Sequence, residues 1–174
     1  LCIKSYLKTQ NLEKTKLWVW LDYKTFTDKN INLIPKHKNI EIKKYIPNNE
    51  SKNTPFENKK KLLNKNNYLK VRSDLARLLF LYNYGGIYYD LDMILLKDLM
   101  PLLDLEFCYT WSNKNRGNNG ILRLKKHSNN CQQIMKKYHN EINISVKINK
   151  TIFTEDLDIY CLPSVLFDPV WILN

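Results

Sequence analysis

Between Tyr68 and Asp92 the sequence changes period in a way that few folds accommodate. Val71, Leu75, Leu78, Leu79 and Tyr82 recur at helical spacing and give one apolar stripe from Tyr68 to Tyr84. Gly85-Gly86 then stops the helix, because glycine adopts the left-handed conformation at a helix end without steric cost. Ile87-Tyr88-Tyr89 resumes as a strand and ends on Asp90-Leu91-Asp92. A helix running through two glycines into a strand is half of an α/β layer.

The flanking segments agree. Leu1 to Thr9 reads as a short amphipathic helix, Lys16 to Leu21 as a buried strand and Ile40 to Ile46 as a second strand ending at Pro47. Pro47 to Asn67 reads as a polar excursion with one helical turn. A short helix follows near Asp98 to Leu103, then a strand over Glu106 to Trp111, a polar loop over Ser112 to Asn118 and a strand over Gly120 to Leu124. Ser128 caps a helix reaching Asn140. This alternation predicts an α/β fold with a mainly parallel sheet flanked by helices. With 174 residues, 44% of them hydrophobic, the chain has apolar material for one compact domain, 1–174.

The longest apolar stretch, Leu75 to Leu81, is interrupted by Arg77 and is far shorter than the ~20 residues that cross a bilayer, so no transmembrane segment is expected. No small-residue cleavage pattern follows Leu1 to Leu7, so no signal peptide is read and a cytoplasmic location is the expectation, with the start on Leu rather than Met leaving room for a targeting segment or anchor upstream. Cys2, Cys108, Cys131 and Cys161 are widely spaced, without a C-x-x-C pair, and read as reduced core or surface thiols.

A net charge of +11 points to an anionic partner. Lys far outnumbers Arg, however, and the lysines lie among asparagines, as in Lys59-Lys60-Lys61 and Lys65-Asn66-Asn67. Coding bias toward Lys, Asn and Ile accounts for such a pattern, and base or phosphate readout favours Arg. No specific nucleic-acid partner is expected. His37, His127 and His139 sit in Lys-rich surroundings and read as solvated.

Asp90 and Asp92 stand two apart at a strand end and share one side if the backbone stays extended. Paired carboxylates need a cation beside them, and hard divalent ions such as Mg²⁺ or Mn²⁺ suit oxygen donors. Asp74 and Arg77, three apart on the preceding helix, are neighbours on one face. Taken alone they read as an ordinary surface ion pair worth under ~1 kcal/mol.

Asp74-x-x-Arg77 followed by Gly85-Gly86-Ile87-Tyr88-Tyr89-Asp90-Leu91-Asp92 resembles the signature of DXD-containing sugar transferases of the family 32 type, related to initiating mannosyltransferases and clostridial glucosylating toxins. The likeness is strong over Val71 to Leu99 and looser over Trp111 and Asn118 to Arg123. It implies a GT-A nucleotide-diphospho-sugar transferase fold and a metal-dependent, retaining transfer of a hexosyl group. The donor would be a UDP- or GDP-sugar, the acceptor a glycan, protein or small molecule, and the cofactor Mn²⁺ or Mg²⁺. Asp92 would bind the metal directly, Asp90 would contact the ribose or donor sugar and the metal through water, and Asp74 and Arg77 would hydrogen-bond sugar hydroxyls or diphosphate oxygens. Asp74, Asp90 and Asp92 are thus the catalytic candidates. Tyr89 and Asn119 join the nucleotide-sugar site, Trp111 is a candidate stacking residue, and Asp168 offers a further metal or acceptor contact. Relatives begin with an Ile-His-x-Ile-Trp-like strand that does not precede Leu1, which leaves Trp18 and Trp20 as core. Phe167 to Trp171 resembles the region before the family's C-terminal His/Trp element, so the resemblance implies a domain shortened at both ends.

Two other readings compete. A haloacid-dehalogenase-type phosphatase also carries Asp-x-Asp after an apolar strand, but it wants a Thr soon afterwards, where Met93-Ile94-Leu95 stands, and it gives Asp74-x-x-Arg77 no role. A basic nucleic-acid-binding module needs arginine interleaved with aromatics, which is lacking.

Overall fold

The computed structural model describes residues 1–59, 63, 69–110, 117–140 and 157–167, with side chains at 138–140 left aside. Chain contacts divide it into two compact units, Leu1–Ile46 with Leu91–Leu102, and Pro47–Asp90 with Leu103–Asn174.

In the first unit, helix α1 (Cys2–Thr9) buries Cys2 and Tyr6, one helical turn apart. Its polar side chains and the Gln10 cap satisfy the backbone of the 95–99 segment: the Leu95 N–H donates to Ser5 Oγ (2.9 Å), Gln10 Nε2 donates to the Lys97 carbonyl (2.8 Å), and the Leu99 N–H donates to Gln10 Oε1 (3.0 Å). Strands β1 (Leu17–Asp22) and β2 (Ile40–Tyr45) pair in parallel from Leu17↔Ile40 to Asp22↔Tyr45. The crossover between them is long enough for a parallel return. It holds the one-turn helix α2 (Asp28–Ile31), capped by Thr27 accepting from the Asn30 N–H at 3.4 Å. Trp18 and Trp20 are not core. Val19 between them is the buried residue, as strand alternation requires, while the two indoles are half-buried with Lys43 4.0 Å above the Trp18 ring.

The second unit opens with α3 (Pro47–Glu50). The stretch after it is less polar in role than in composition, for Phe56 and Leu63 are almost fully buried. Helix α4 (Leu69–Tyr84) leads through Gly85 and Gly86, both at positive φ, into β3 (Gly86–Tyr89). A Cβ at Gly85 would lie 2.8 Å from the Lys126 backbone nitrogen, so glycine serves both the turn and the close approach. Then come β4 (Phe107–Thr110), β5 (Gly117–Leu124), α5 (Asn129–Asn140) and β6 (Tyr160–Leu162). Ser128 Oγ accepts the Cys131 N–H at 3.1 Å and so caps α5 as expected. A 3-10 turn near Met100–Leu102 stands where a short helix is predicted, and β6 has no counterpart among the expected strands.

The expected mainly parallel sheet is corrected. The four-stranded sheet runs β3-β5-β4-β6, with β5 antiparallel to both neighbours and only β4 and β6 parallel. Six residues separate β4 from β5, too few for the crossover that parallel strands need. Helix α4 also departs from a one-stripe helix: Asp74 to Leu81 are buried without a break. Leu75, Leu78 and Leu79 join Phe107, Leu122, Leu124, Ile134 and Met135 in the core. No helix among the described residues is long and apolar enough to cross a membrane.

Candidate functional site

The second unit gathers four of the sequence-predicted residues, Asp74, Arg77, Asp90 and Asn119, around one guanidinium. Arg77 is 4% exposed and Asp74 5%, so they are not the surface pair that their spacing alone suggests. Arg77 Nη2 lies 3.2 Å from Asp74 Oδ1 and 3.3 Å from Asp90 Oδ1, and it also donates to Ser73 Oγ at 3.2 Å. Arg77 Nη1 donates to the Asn119 carbonyl, and the guanidinium lies over the Tyr88 ring, 4.5 Å from its centroid. A rigid planar fork is what links two carboxylates and a carbonyl at once, which a lysine ammonium on a flexible stem does not reproduce. Arg77 is therefore turned toward protein partners.

Asp74 is held from a second side by Asn119 Nδ2, which donates to Oδ1 at 3.1 Å. Burial pushes the Asp74 carboxyl above its ordinary range, against the opposing pull of Arg77 and the Asn119 amide. Asp90 follows the last residue of β3, where its N–H donates to the Gly120 carbonyl at 2.8 Å and extends the β3–β5 ladder by one rung. Tyr88 Oη donates to Asp90 Oδ1 at 2.9 Å. Burial first, with Asp90 adding to it, pushes the Tyr88 phenol up to about 12, so it remains a donor at neutral pH. The Asp90 side chain nonetheless stays 36% exposed.

Strand β5 supplies the other wall. Asn119 is expected in a polar loop but lies within β5, buried with Asn118 and Gly120. Asn118 Oδ1 accepts the Gly120 N–H at 2.8 Å. A methyl at Gly120 would stand 3.3 Å from both Asp90 Oδ2 and Asn118 Oδ1 and 3.4 Å from Tyr109 Oη. Glycine there lets the β5 backbone come up against the carboxylate.

Sequence reasoning missed Ser73, Tyr88, Asn118 and Gly120. Two of them had a signal. Tyr88 precedes Asp90 by two and so shares its strand face, and Ser73 precedes Arg77 by one helical turn. The same alternation fails for Asp92, because β3 ends at Tyr89 and the chain turns at Leu91 and Asp92. Asp92 is exposed and belongs to the first unit. Tyr89, paired with Ile121, is half-buried. Trp111 and Asp168 lie outside the described residues, as do Lys60, Lys61 and the His139 side chain. His37 and His127 are exposed, as expected.

Among the described residues no group of three or more His, Cys, Asp or Glu side chains is arranged to hold a metal ion. The donor chemistry still fits a hard divalent ion that is completed by water and substrate phosphates, since one or two carboxylates suffice for such an ion. Asp92, exposed, has free coordination capacity, whereas Asp90 Oδ1 is already shared by Tyr88 and Arg77.

Comparison with known structures finds a chain described as PaToxG glycosyltransferase, at TM-score 0.60 and 19% identity, covering 89% of this chain and 59% of that one. The likeness is one of fold, and this chain spans under two thirds of that structure. A comparison with curated proteins gave no match. Residues 10–109, more than half of the chain, match the family described as the glycosyltransferase sugar-binding region containing a DXD motif. The match takes in Asp74, Arg77, Asp90 and Asp92 and leaves the phosphatase and nucleic-acid readings without support. This chain belongs to the family of DXD-containing glycosyltransferase sugar-binding regions.

Proposed function

We propose that the protein transfers a hexosyl group from a UDP- or GDP-sugar to a glycan, protein or small-molecule acceptor, with retention, on a GT-A type fold. The observation that carries this reading is Asp90, a DXD carboxylate held from within by Arg77 and Tyr88 while its side chain remains partly exposed. A carboxylate fixed before substrate arrives costs no reorganisation when it accepts hydroxyls of a ribose or donor sugar. The DXD motif implies a divalent metal. In this reading Asp92 holds it, as Mn²⁺ or Mg²⁺, and the bound ion would neutralise charge on the departing diphosphate. Asp74 and Asn119 brace the Arg77 fork, so Arg77 works as a positioning residue for Asp90 rather than as the diphosphate contact that the resemblance implies. Asp168 is proposed as a further metal or acceptor contact, and Tyr89 as part of the nucleotide-sugar site. The +11 charge favours an anionic donor without requiring nucleic acid.

The test is incubation with Mn²⁺ and a panel of nucleotide-sugars, reading donor hydrolysis and thermal midpoint. At least one donor should be hydrolysed slowly and should stabilise the protein, by about 2.7 kcal/mol at 100 times its dissociation constant. Arg77→Lys should weaken that donor and should not change which cation supports it. A panel in which no donor is hydrolysed or raises the midpoint would overturn the reading.

A further inference from the structure

Strands β4 and β6 place two cysteines directly opposite each other. The parallel register runs Phe107↔Tyr160, Cys108↔Cys161, Tyr109↔Leu162, and the two sulfurs are 3.4 Å apart. Neighbouring strands lie about 4.7–4.9 Å apart, inside the 4.4–6.8 Å window of Cα separations that a disulfide spans. Cys108 is fully buried, whereas Cys161, on the outermost of the described strands, is exposed. One thiol can thus be reached from solvent and the other only through the first.

We propose that Cys108 and Cys161 are a redox-active pair that closes to a disulfide by exchange with a low-molecular-weight disulfide and cross-links β6 to β4. The Cys161 thiolate attacks one sulfur of the small disulfide, a Cys161–sulfur bond forms, and the first small thiolate leaves. Cys108 then loses its proton and attacks the Cys161 sulfur, the protein disulfide forms, and the second small thiolate leaves. The two protein thiols are oxidised by two electrons, the small disulfide is reduced to two thiols, and the two cysteine protons pass to those thiols. The electrostatics suit this order. A hydrogen bond from Cys108 lowers the Cys161 thiol below its ordinary value, and the same contact together with burial raises Cys108. Attack therefore begins at the exposed sulfur.

Closure would fix the sheet edge and the chain beyond it. The Ser164 N–H donates to Thr110 Oγ1 at 3.2 Å, and Phe167 stacks on Phe107 at 6.1 Å, so β4 already holds the residues after β6 by contacts that a covalent link would reinforce. Cys2 and Cys131 are buried, with Cys131 Sγ donating to the Leu78 carbonyl at 3.7 Å, and neither takes part.

The test holds the full chain in glutathione buffers of falling reduced-to-oxidised ratio, quenches in acid, alkylates under denaturing conditions and reads intact mass and proteolytic peptides. The expected product has lost two hydrogens and two alkylatable thiols, with the Cys108 peptide joined to the Cys161 peptide. Excess reduced glutathione should restore both thiols. The rate should rise with pH through a midpoint below that of an ordinary thiol. The oxidised form should melt on the order of 5 °C or more higher, because the bridge closes a loop of about fifty residues. Cys161→Ser, a change at an exposed edge, should abolish the thiol loss, and Cys108→Ala should trap glutathione on Cys161. All four thiols still alkylatable in fully oxidised glutathione, a wild-type product that stops at the mixed disulfide, or a bridge involving Cys2 or Cys131 would overturn the proposal.

Discussion

Two of the ion pairs among the described residues lie in opposite settings. Lys43 and Glu41 on β2 meet at 2.7 Å with side chains 25% and 49% exposed, whereas Arg77 and Asp74 on α4 meet at 3.2 Å with side chains 4% and 7% exposed. Distance alone ranks the first as stronger. Solvent screening makes it dispensable, and Lys43 also lies over Trp18, so its position has a second cause. The second is embedded in Asn119, Ser73, Tyr88 and Asp90, where every partner removed leaves another polar group unsatisfied. What an ion pair contributes here is set by what else its atoms must satisfy.

Arg77→Ala should break this comparison most visibly, since it leaves the Asp74 carboxylate buried without its cation. It should cost about 3–5 kcal/mol and lower the thermal midpoint by roughly 6–20 °C. Asp74→Asn should cost less, because it removes a carboxylate that burial already disfavours and keeps an acceptor for Asn119. Calorimetric melting of both variants decides the ranking, and an Arg77→Ala midpoint equal to that of a Lys43→Ala variant would erase the contrast.

Gly120→Ala should come next. Its methyl must push Asp90 Oδ2, Asn118 Oδ1 and Tyr109 Oη back by a few tenths of an ångström, with an overpacking cost of about 1–3 kcal/mol. Because Asp90 is among the atoms displaced, donor affinity should fall more than stability does, a split that titration calorimetry beside thermal melting resolves.

Tyr88→Phe sharpens the comparison through pH. A phenol whose folded value is raised to about 12 contributes stability that is full below its unfolded value near 10 and is lost as pH rises from 10 to 12. Tyr84, raised to about 12 by burial and Glu50, behaves likewise, as do Tyr6 and the buried thiols of Cys2, Cys108 and Cys131, all raised, so Tyr88 accounts for a part of the alkaline decline. Urea unfolding at a series of pH values between 9 and 12 should show a shallower decline in the variant. At neutral pH the variant should lose about 1–2 kcal/mol with the donated hydrogen bond to Asp90. The smallest effect belongs to the exposed pair: Lys43→Ala should leave the urea midpoint close to that of the wild type, at any salt concentration.

The helix, the glycine turn and the strand of the motif were legible because local chemistry sets them: apolar period, positive φ and aromatic alternation. So was the Ser128 cap. The burial of α4 was not, since Asp74 and Arg77 read as solvent-facing until β5 is placed against them, and that placement depends on pairing distant in sequence. Sheet direction failed for a related reason. Helix and strand alternation suggested parallel crossovers, yet the short gap between Thr110 and Gly117, visible in the sequence, allowed only an antiparallel return. Asn119 was picked out through resemblance but assigned to a loop, because a Gly-Asn-Asn-Gly run lacks strand character. It is a strand because Asn118 and Asn119 find buried partners there.

The most direct test of the central proposal, that donor binding depends on a cation held by Asp92, is titration calorimetry of the wild type and Asp92→Asn with the donor found in the panel, with Mn²⁺ and with chelator. Asp92 is exposed, so its near-isosteric replacement removes charge while the melting curve without ligand stays unchanged. The account predicts wild-type binding that weakens at least tenfold in chelator, and Asp92→Asn binding that is weak and the same in both conditions. Donor affinity in Asp92→Asn that still rises with Mn²⁺ as in the wild type would contradict it.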